Sequence, residues 1–157
     1  MREIVKEPDE ILHKKCEQVT DFEEARKIAD DLLQVMKSIP VRYGIWNKWI
    51  GFAANQIGYS KRIIGLRRGE NKYEILVNPV IVEKRFPFLQ PESCFSLNRK
   101  RLLQHFYLVK RYLWTKVKYQ DLNETWHEKI IRGPTAVYTE IDHINGIMVS
   151  EIGFRVL

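Results

Sequence analysis

A change of period limits this chain's fold more than any other feature. Phe22, Ala25, Ile28, Ala29, Leu32, Val35 and Met36 recur at the spacing of one helix face. Thr20 and Asp21 are both N-cap types, and Glu23 stands three after Thr20 as in a capping box, so a helix is predicted to open there. It should stop near Ser38, because Ile39 precedes Pro40 and is pushed out of helical geometry. After a loop through Tyr43 to Lys48 the helical period is gone. Ile63 to Leu66, Tyr73 to Val77 and Val80 to Val82 are β-branched runs bounded by Gly, Asn and Pro. Trp114 to Tyr119 alternates apolar and polar, and Asp121-Leu122-Asn123 turns it into a partner at Trp126 to Ile131. Gly133-Pro134 breaks the sheet. Ala136, Val137, Ile141 and Ile144 then form the apolar side of a second helix, with Pro134 in its first turn and Gly146 at its end. Ile4 to Leu12 reads as an extended arm turning at Pro8, and Ile147 to Leu157 as a final edge strand. With no repeat, low-complexity tract or linker, residues 1–157 are expected to form a single α+β domain, its mixed, mostly antiparallel strands packed around the second helix.

At 157 residues and 45% hydrophobic, the chain is long enough for one core and short for two. Its net charge of +6 favours acidic surfaces such as nucleic acid, ribosome or membrane headgroups. The cations are scattered, as Lys61-Arg62, Arg67-Arg68, Arg99-Lys100-Arg101 and Lys110-Arg111, without the spacing of a nucleic-acid module. A solvated basic surface and no sequence-specific nucleic acid are therefore expected. The chain opens without an apolar signal run, and no window approaches the ~20 apolar residues of a membrane span. These features read as a soluble protein of a reducing compartment with no membrane partner. In such a compartment Cys16 and Cys94 are each open to three roles: buried residue, metal ligand or nucleophile.

Chemistry concentrates in Tyr138-Thr139-Glu140-Ile141-Asp142-His143. Residues four apart on a helix share a face, so Thr139 and His143 point the same way with Glu140 beside them. Histidine at both ends would make a zinc- or iron-binding helix whose Glu handles protons, but Thr139 holds the first place. Two further segments stand out, Gly51 to Gln56 and Glu92 to Leu97. Taken singly, Cys94 reads as a small buried hydrophobe, Gln56 as a polar loop residue and Gly51-Phe52-Ala53-Ala54 as tight packing.

Taken together and in order, the three segments resemble the peptide deformylases. That family carries Gly-x-Gly-Leu-Ala-Ala-x-Gln, Glu-Gly-Cys-Leu-Ser and His-Glu-x-x-His. This chain reads Trp49-Ile50-Gly51-Phe52-Ala53-Ala54-Asn55-Gln56, Glu92-Ser93-Cys94-Phe95-Ser96 and Thr139-Glu140-Ile141-Asp142-His143. The Pro-Asp arm, the first helix, Leu76-Val77-Asn78-Pro79, the Val117-Lys118-Tyr119 hairpin and the closing His-x-Asn-Gly are also similar.

The resemblance implies removal of the N-formyl group from the initiator methionine of new polypeptides, in the cytoplasm or an organelle with formylated products. It also implies a divalent metal, usually iron with zinc or nickel as alternatives, that lowers the pKa of a bound water. Cys94 and His143 match two of its ligands, with Thr139 at the third position. Glu140 matches the general base and acid, while Gln56 and the Phe95 N–H match donors to the developing oxyanion. Gly51, Trp49 and Arg101 match positions near the bound peptide, and Glu92 and Asp142 match groups that orient the ligands. N-formylmethionyl peptides are the implied partner, with the ribosome surface as a second.

The departures fall at the site. A threonine hydroxyl is a poor ligand beside imidazole. Ser93 and Phe95 replace a glycine and a leucine, and Trp49 stands where the family has a small residue. Two readings follow: a deformylase with a weakened or rebuilt metal site, or an inactive deformylase-like protein that binds peptide N-termini or the ribosome.

Overall fold

Asp21, rather than Thr20, caps the first helix: its Oδ1 accepts from the backbone N–H of Glu23 at 3.0 Å and of Glu24 at 3.2 Å. The computed structural model describes residues 1–40, 49–97 and 106–155, Trp49 by its backbone alone. That first helix, α1 (Phe22–Ser38), buries the seven residues its period picked out. Its last turn is closed by Arg67, whose Nη1 donates to Met36 O at 3.1 Å and Ile39 O at 2.7 Å. Arg67 is therefore buried, and Arg111 is too, which corrects the expectation that these cations form a solvated surface.

Five strands follow: β1 (Trp49–Ala53), β2 (Ile63–Arg68), β3 (Tyr73–Glu92), β4 (Tyr107–Gln120) and β5 (Trp126–Arg132). They pair in chain order, each antiparallel to the next. The β4–β5 hairpin lies where it was expected. The separate runs at Tyr73 and Val80 are instead parts of one strand, β3, bent by register shifts between Val77 and Val80 and between Ile81 and Glu83. Pro87 and Pro91 fit inside it because β2 covers only Tyr73 to Val77, and the rest of β3 pairs on one side alone, with β4.

The second helix, α2 (Val137–Ile144), begins after Pro134 rather than with it, the Thr135 hydroxyl accepting from the Val137 N–H at 3.2 Å. It ends at Gly146, whose φ of 76° is the left-handed conformation a helix C-terminus favours. A Cβ there would come within 2.8 Å of the His13 and Lys14 backbone, so glycine lets the helix end close against the N-terminal arm. Beyond it stand a short helix, α3 (Val149–Ile152), and a two-residue strand, β6 (Phe154–Arg155), that pairs with β4. A lone edge strand had been expected there.

The curled antiparallel sheet and its helices make an α+β fold. Strand alternation then sorts β1 between the two helices: Ile50 and Phe52 join the core under α1, while Ala53 joins that under α2. Gly51 shares the face of Ala53. No helix among the described residues is long and apolar enough to cross a membrane.

Candidate metal and catalytic site

Three segments distant in sequence meet beside α2. Cys94 Sγ lies 3.1 Å from His143 Nε2, and the Gln56 side-chain amide donates to Cys94 Sγ at 3.3 Å and to the Ser96 hydroxyl at 3.1 Å. The backbone N–H of Ser96 reaches the same sulfur at 3.3 Å. Gln56 cannot rotate freely, since its Oε1 accepts from the Ala53 N–H at 2.9 Å. Asn55 steadies the helix side by donating from Nδ2 to His143 O at 2.6 Å. Cys94, Gln56 and His143 are all buried. Burial, helped by the charge of Arg111, pushes the His143 imidazole down to about 4, so it is neutral at physiological pH with a nitrogen lone pair to offer.

The other half of the site is ionic. Thr139 Oγ1 donates to Glu92 Oε1 at 2.5 Å. Arg111 grips the same carboxylate with two bonds, Nε to Oε2 at 2.7 Å and Nη2 to Oε1 at 2.9 Å. Its Nη2 also stands 2.8 Å from Asp142 Oδ2, a charge contact that lacks the direction of a good hydrogen bond. Burial works against the charge of Arg111, but Glu92 and Asp142 together carry its pKa above the ordinary value. Asp142 is itself raised, chiefly by burial, with Arg111 opposing.

Glu140, on the same helix as Asp142, is buried near the charges of Glu92, Asp142 and Arg111. Its Oε2 is buried and finds no hydrogen-bond partner among the described residues. Burial first, then the charges of Glu92 and Asp142, raise its pKa well above the ordinary range, against the pull of Arg111. Room for this side chain comes from Gly51, where a Cβ would fall 2.6 Å from Glu140 Cγ and 2.9 Å from Oε1. Beside the backbone approach to substrate expected of Gly51, its missing side chain makes space for the carboxylate.

Cys94, His143 and Gln56 are thus brought together, with the Phe95 backbone next to the sulfur, and Glu140 stands three residues before His143 on α2, against Gly51. Thr139 faces Glu92, which takes the hydroxyl proton. Arg101 and the side chain of Trp49 lie outside the described residues, as does His105. His127 is held by Asp121 at 2.6 Å in the β4–β5 hairpin, and Tyr138 turns to Thr115. Neither cysteine is in a disulfide, and Cys16 sits apart in the core, its thiol pushed by burial up to about 11. The sequence reading missed Arg111, Asn55 and Ser96. One signal for Arg111 was available: it falls on the inward alternation of β4 with Val109, Thr115 and Val117, where a cation must be paired.

As a test of fit to a metal, no group of three His, Cys, Asp or Glu side chains among the described residues is placed to hold one. Two strong donors fit, a neutral imidazole and a thiol backed by two N–H groups. The Thr139 hydroxyl does not fit, being neutral and already committed to Glu92.

A buried Cys–His pair thus stands beside α2 on a curled antiparallel sheet. Residues 1–152 match the family model described as polypeptide deformylase. A peptide deformylase of Desulfotalea psychrophila is 36% identical over 149 residues, covering 90% of this chain and 80% of its own. The Thermotoga maritima peptide deformylase structure superposes with a TM-score of 0.78 at 26% identity, covering 97% of each chain. A Met-Ala-Ser-bound class I type b peptide deformylase from Acinetobacter baumannii gives 0.78 at 27% identity, covering 96% of this chain and 97% of that one. The chain belongs to the polypeptide deformylase family, whose members are in general metal-dependent hydrolases.

Proposed function

We propose that this chain hydrolyses the N-formyl group of the initiator methionine of new polypeptides, with a divalent metal, iron before zinc or nickel, held by Cys94 and His143 alone. The observation that supports this is the buried, hydrogen-bonded cluster of Cys94, His143 and Gln56, with Glu140 on the helix of His143 and its buried Oε2 without a hydrogen-bond partner among the described residues. When bound, the metal supplies Lewis acidity to a water and to the formyl oxygen. Glu140 accepts a proton from the attacking water, helped by a raised pKa that makes it a stronger base than an exposed carboxylate. Oxygen adds to the formyl carbon, the C–N bond breaks, Glu140 returns the proton to the departing amine, and formate and a free N-terminus leave. The Gln56 amide and the Phe95 N–H donate to the oxygen as it gains charge, each worth ~3 kcal/mol. Glu92 and Asp142, locked by Arg111, keep α2 oriented. Trp49 and Arg101 flank the peptide, and Met-Ala-Ser in the Acinetobacter baumannii structure is the type of product expected. A net charge of +6 suits work near the ribosome, in the cytoplasm or an organelle that makes formylated chains.

Metal content and turnover of a formyl-Met peptide, measured on anaerobically purified protein and on Thr139→His, test the reading. The native chain is expected to hold metal weakly and turn over slowly. Thr139→His should tighten metal binding by at least ~10-fold, since Glu92 already stands where it can orient the new ring. A native protein that stays inert with added iron, nickel or cobalt yet binds the peptide would overturn hydrolysis in favour of peptide capture.

A further inference from the structure

Two departures from the family motifs touch each other. Phe52 stands where the first motif has leucine, and Phe95 where the second has leucine; their rings stack with centroids 5.1 Å apart and planes 26° apart. Phe52 is fully buried on β1, while Phe95 is half-buried on the turn that follows Cys94. Those two segments are also joined by the Gln56 amide, fixed at its oxygen by Ala53 N–H and reaching Cys94 and Ser96 through its nitrogen. The same turn is held from outside, since the N–H of Glu7 donates to Ser96 O at 2.9 Å and the Lys6 ammonium donates to Phe95 O. The aromatic stack thus runs beside a polar link between the same partners. One leucine enlarged alone would overfill the contact, and one phenylalanine reduced alone would leave a gap. Enlarged together, they meet as flat faces.

We propose that Phe52 and Phe95 are a matched positioning pair that fixes the Cys94–Ser96 turn against β1 and so sets the spacing between the Gln56 amide and the Phe95 N–H. The catalytic consequence rests on the hydrolytic reading above; the positioning itself does not. Phe52→Leu, Phe95→Leu and the double variant, made in the full chain, separate the two. Each single variant is expected to speed hydrogen exchange of the Phe95 and Ser96 amides by roughly 3- to 10-fold, the range an aromatic pair supports, with the double variant returning toward native. In formyl-Met-Ala-Ser hydrolysis each single variant should lower kcat by a similar factor and leave KM within about twofold, because the donors act on charge that develops only in the transition state. Exchange effects that simply add in the double variant, or exchange unchanged in the singles, would overturn the pair. Coupled exchange with no turnover in any variant would sink hydrolysis and leave the pair standing.

Discussion

The two sides of this site hold themselves together differently. Around Cys94 the links are neutral and light: amide to sulfur, amide to hydroxyl and imidazole to sulfur, all between 3.1 and 3.3 Å. Around Thr139 they are charged and short, with one guanidinium shared by two carboxylates and a hydroxyl attached to the first. The neutral side keeps Cys94, Gln56 and His143, with Ser93 and Phe95 as changes around them, while on the ionic side the departure, Thr139, falls at a ligand position itself. Once position 139 offers a hydroxyl, the Glu92 carboxylate becomes its partner, so the substitution is absorbed by the network behind it. That side should therefore carry most of the local stability, and the neutral side most of the chemistry.

The largest break in this contrast should come from Arg111→Met. It leaves buried Glu92 and half-buried Asp142 without their cation, a loss of about 3–5 kcal/mol for a broken buried pair. Urea unfolding of metal-free protein should show the midpoint falling sharply with little change in slope. A shift below ~1 kcal/mol would mean that the guanidinium is replaceable by solvent and the sides are not so different.

The pH dependence comes next and sets His143 against Glu140. The folded imidazole titrates at about 4 and the unfolded one near 6.5, so between these values the unfolded chain binds more protons. The His143 contribution is complete above pH 6.5 and is lost as pH falls toward 4, about 3 kcal/mol in all. Glu140 works the other way: its folded pKa is raised, so its contribution is complete below 4.5 and is lost as pH rises above that value. Above pH 4.5, where Glu140 begins to titrate, and below 6.5, the two groups pull the stability in opposite directions. Stability of metal-free Glu140→Gln measured over that range should rise with pH more steeply than that of the native chain. Parallel curves would show that Glu140 is not buried in solution as it is here.

These effects also show how far the sequence could be read. Regular patterns carried well: the α1 face, the β4–β5 alternation and the α2 apolar side each lie within a few residues of where their periods put them. Long β3 did not, because Asn78, Phe86 and three prolines are usually punctuation; Asn78 and Pro79 are accommodated at the register shift after Val77, and Phe86, Pro87 and Pro91 on the part that β2 does not pair. In the site, motif order pointed to segments that do meet at Cys94, Gln56 and His143. It could not show that Gly51 is shaped around Glu140, or that Arg111 anchors Glu92, since both depend on a strand crossing a helix from elsewhere in the chain. Thr139 was legible as a departure but not as a hydrogen-bond donor to Glu92.

Glu140→Gln at fixed pH should give a smaller and inverted effect. A buried carboxylate oxygen with no partner is a liability to the fold, and an amide of the same shape carries less desolvation penalty. At pH 8 the variant should be more stable than the native chain by about 1–3 kcal/mol, and a formyl-Met peptide should no longer be hydrolysed. A less stable variant at that pH would mean that the carboxylate has a partner in solution, and the separation of chemistry from stability would fail at its central residue.

The smallest effect is expected from Ser96→Ala, on the neutral side. It removes the hydroxyl that accepts from Gln56, while Cys94 Sγ still receives the same amide at 3.3 Å. The stability cost should be about 1 kcal/mol, that of one neutral hydrogen bond, measurable as a modest drop in Tm. Turnover should suffer more than folding does, because Gln56 then has one fewer constraint on the nitrogen proposed to meet the oxyanion. If kcat holds while Tm falls, the hydroxyl serves packing alone and Gln56 is positioned from the Ala53 side. If kcat falls with KM unchanged, even the lightest link on the neutral side belongs to the chemistry.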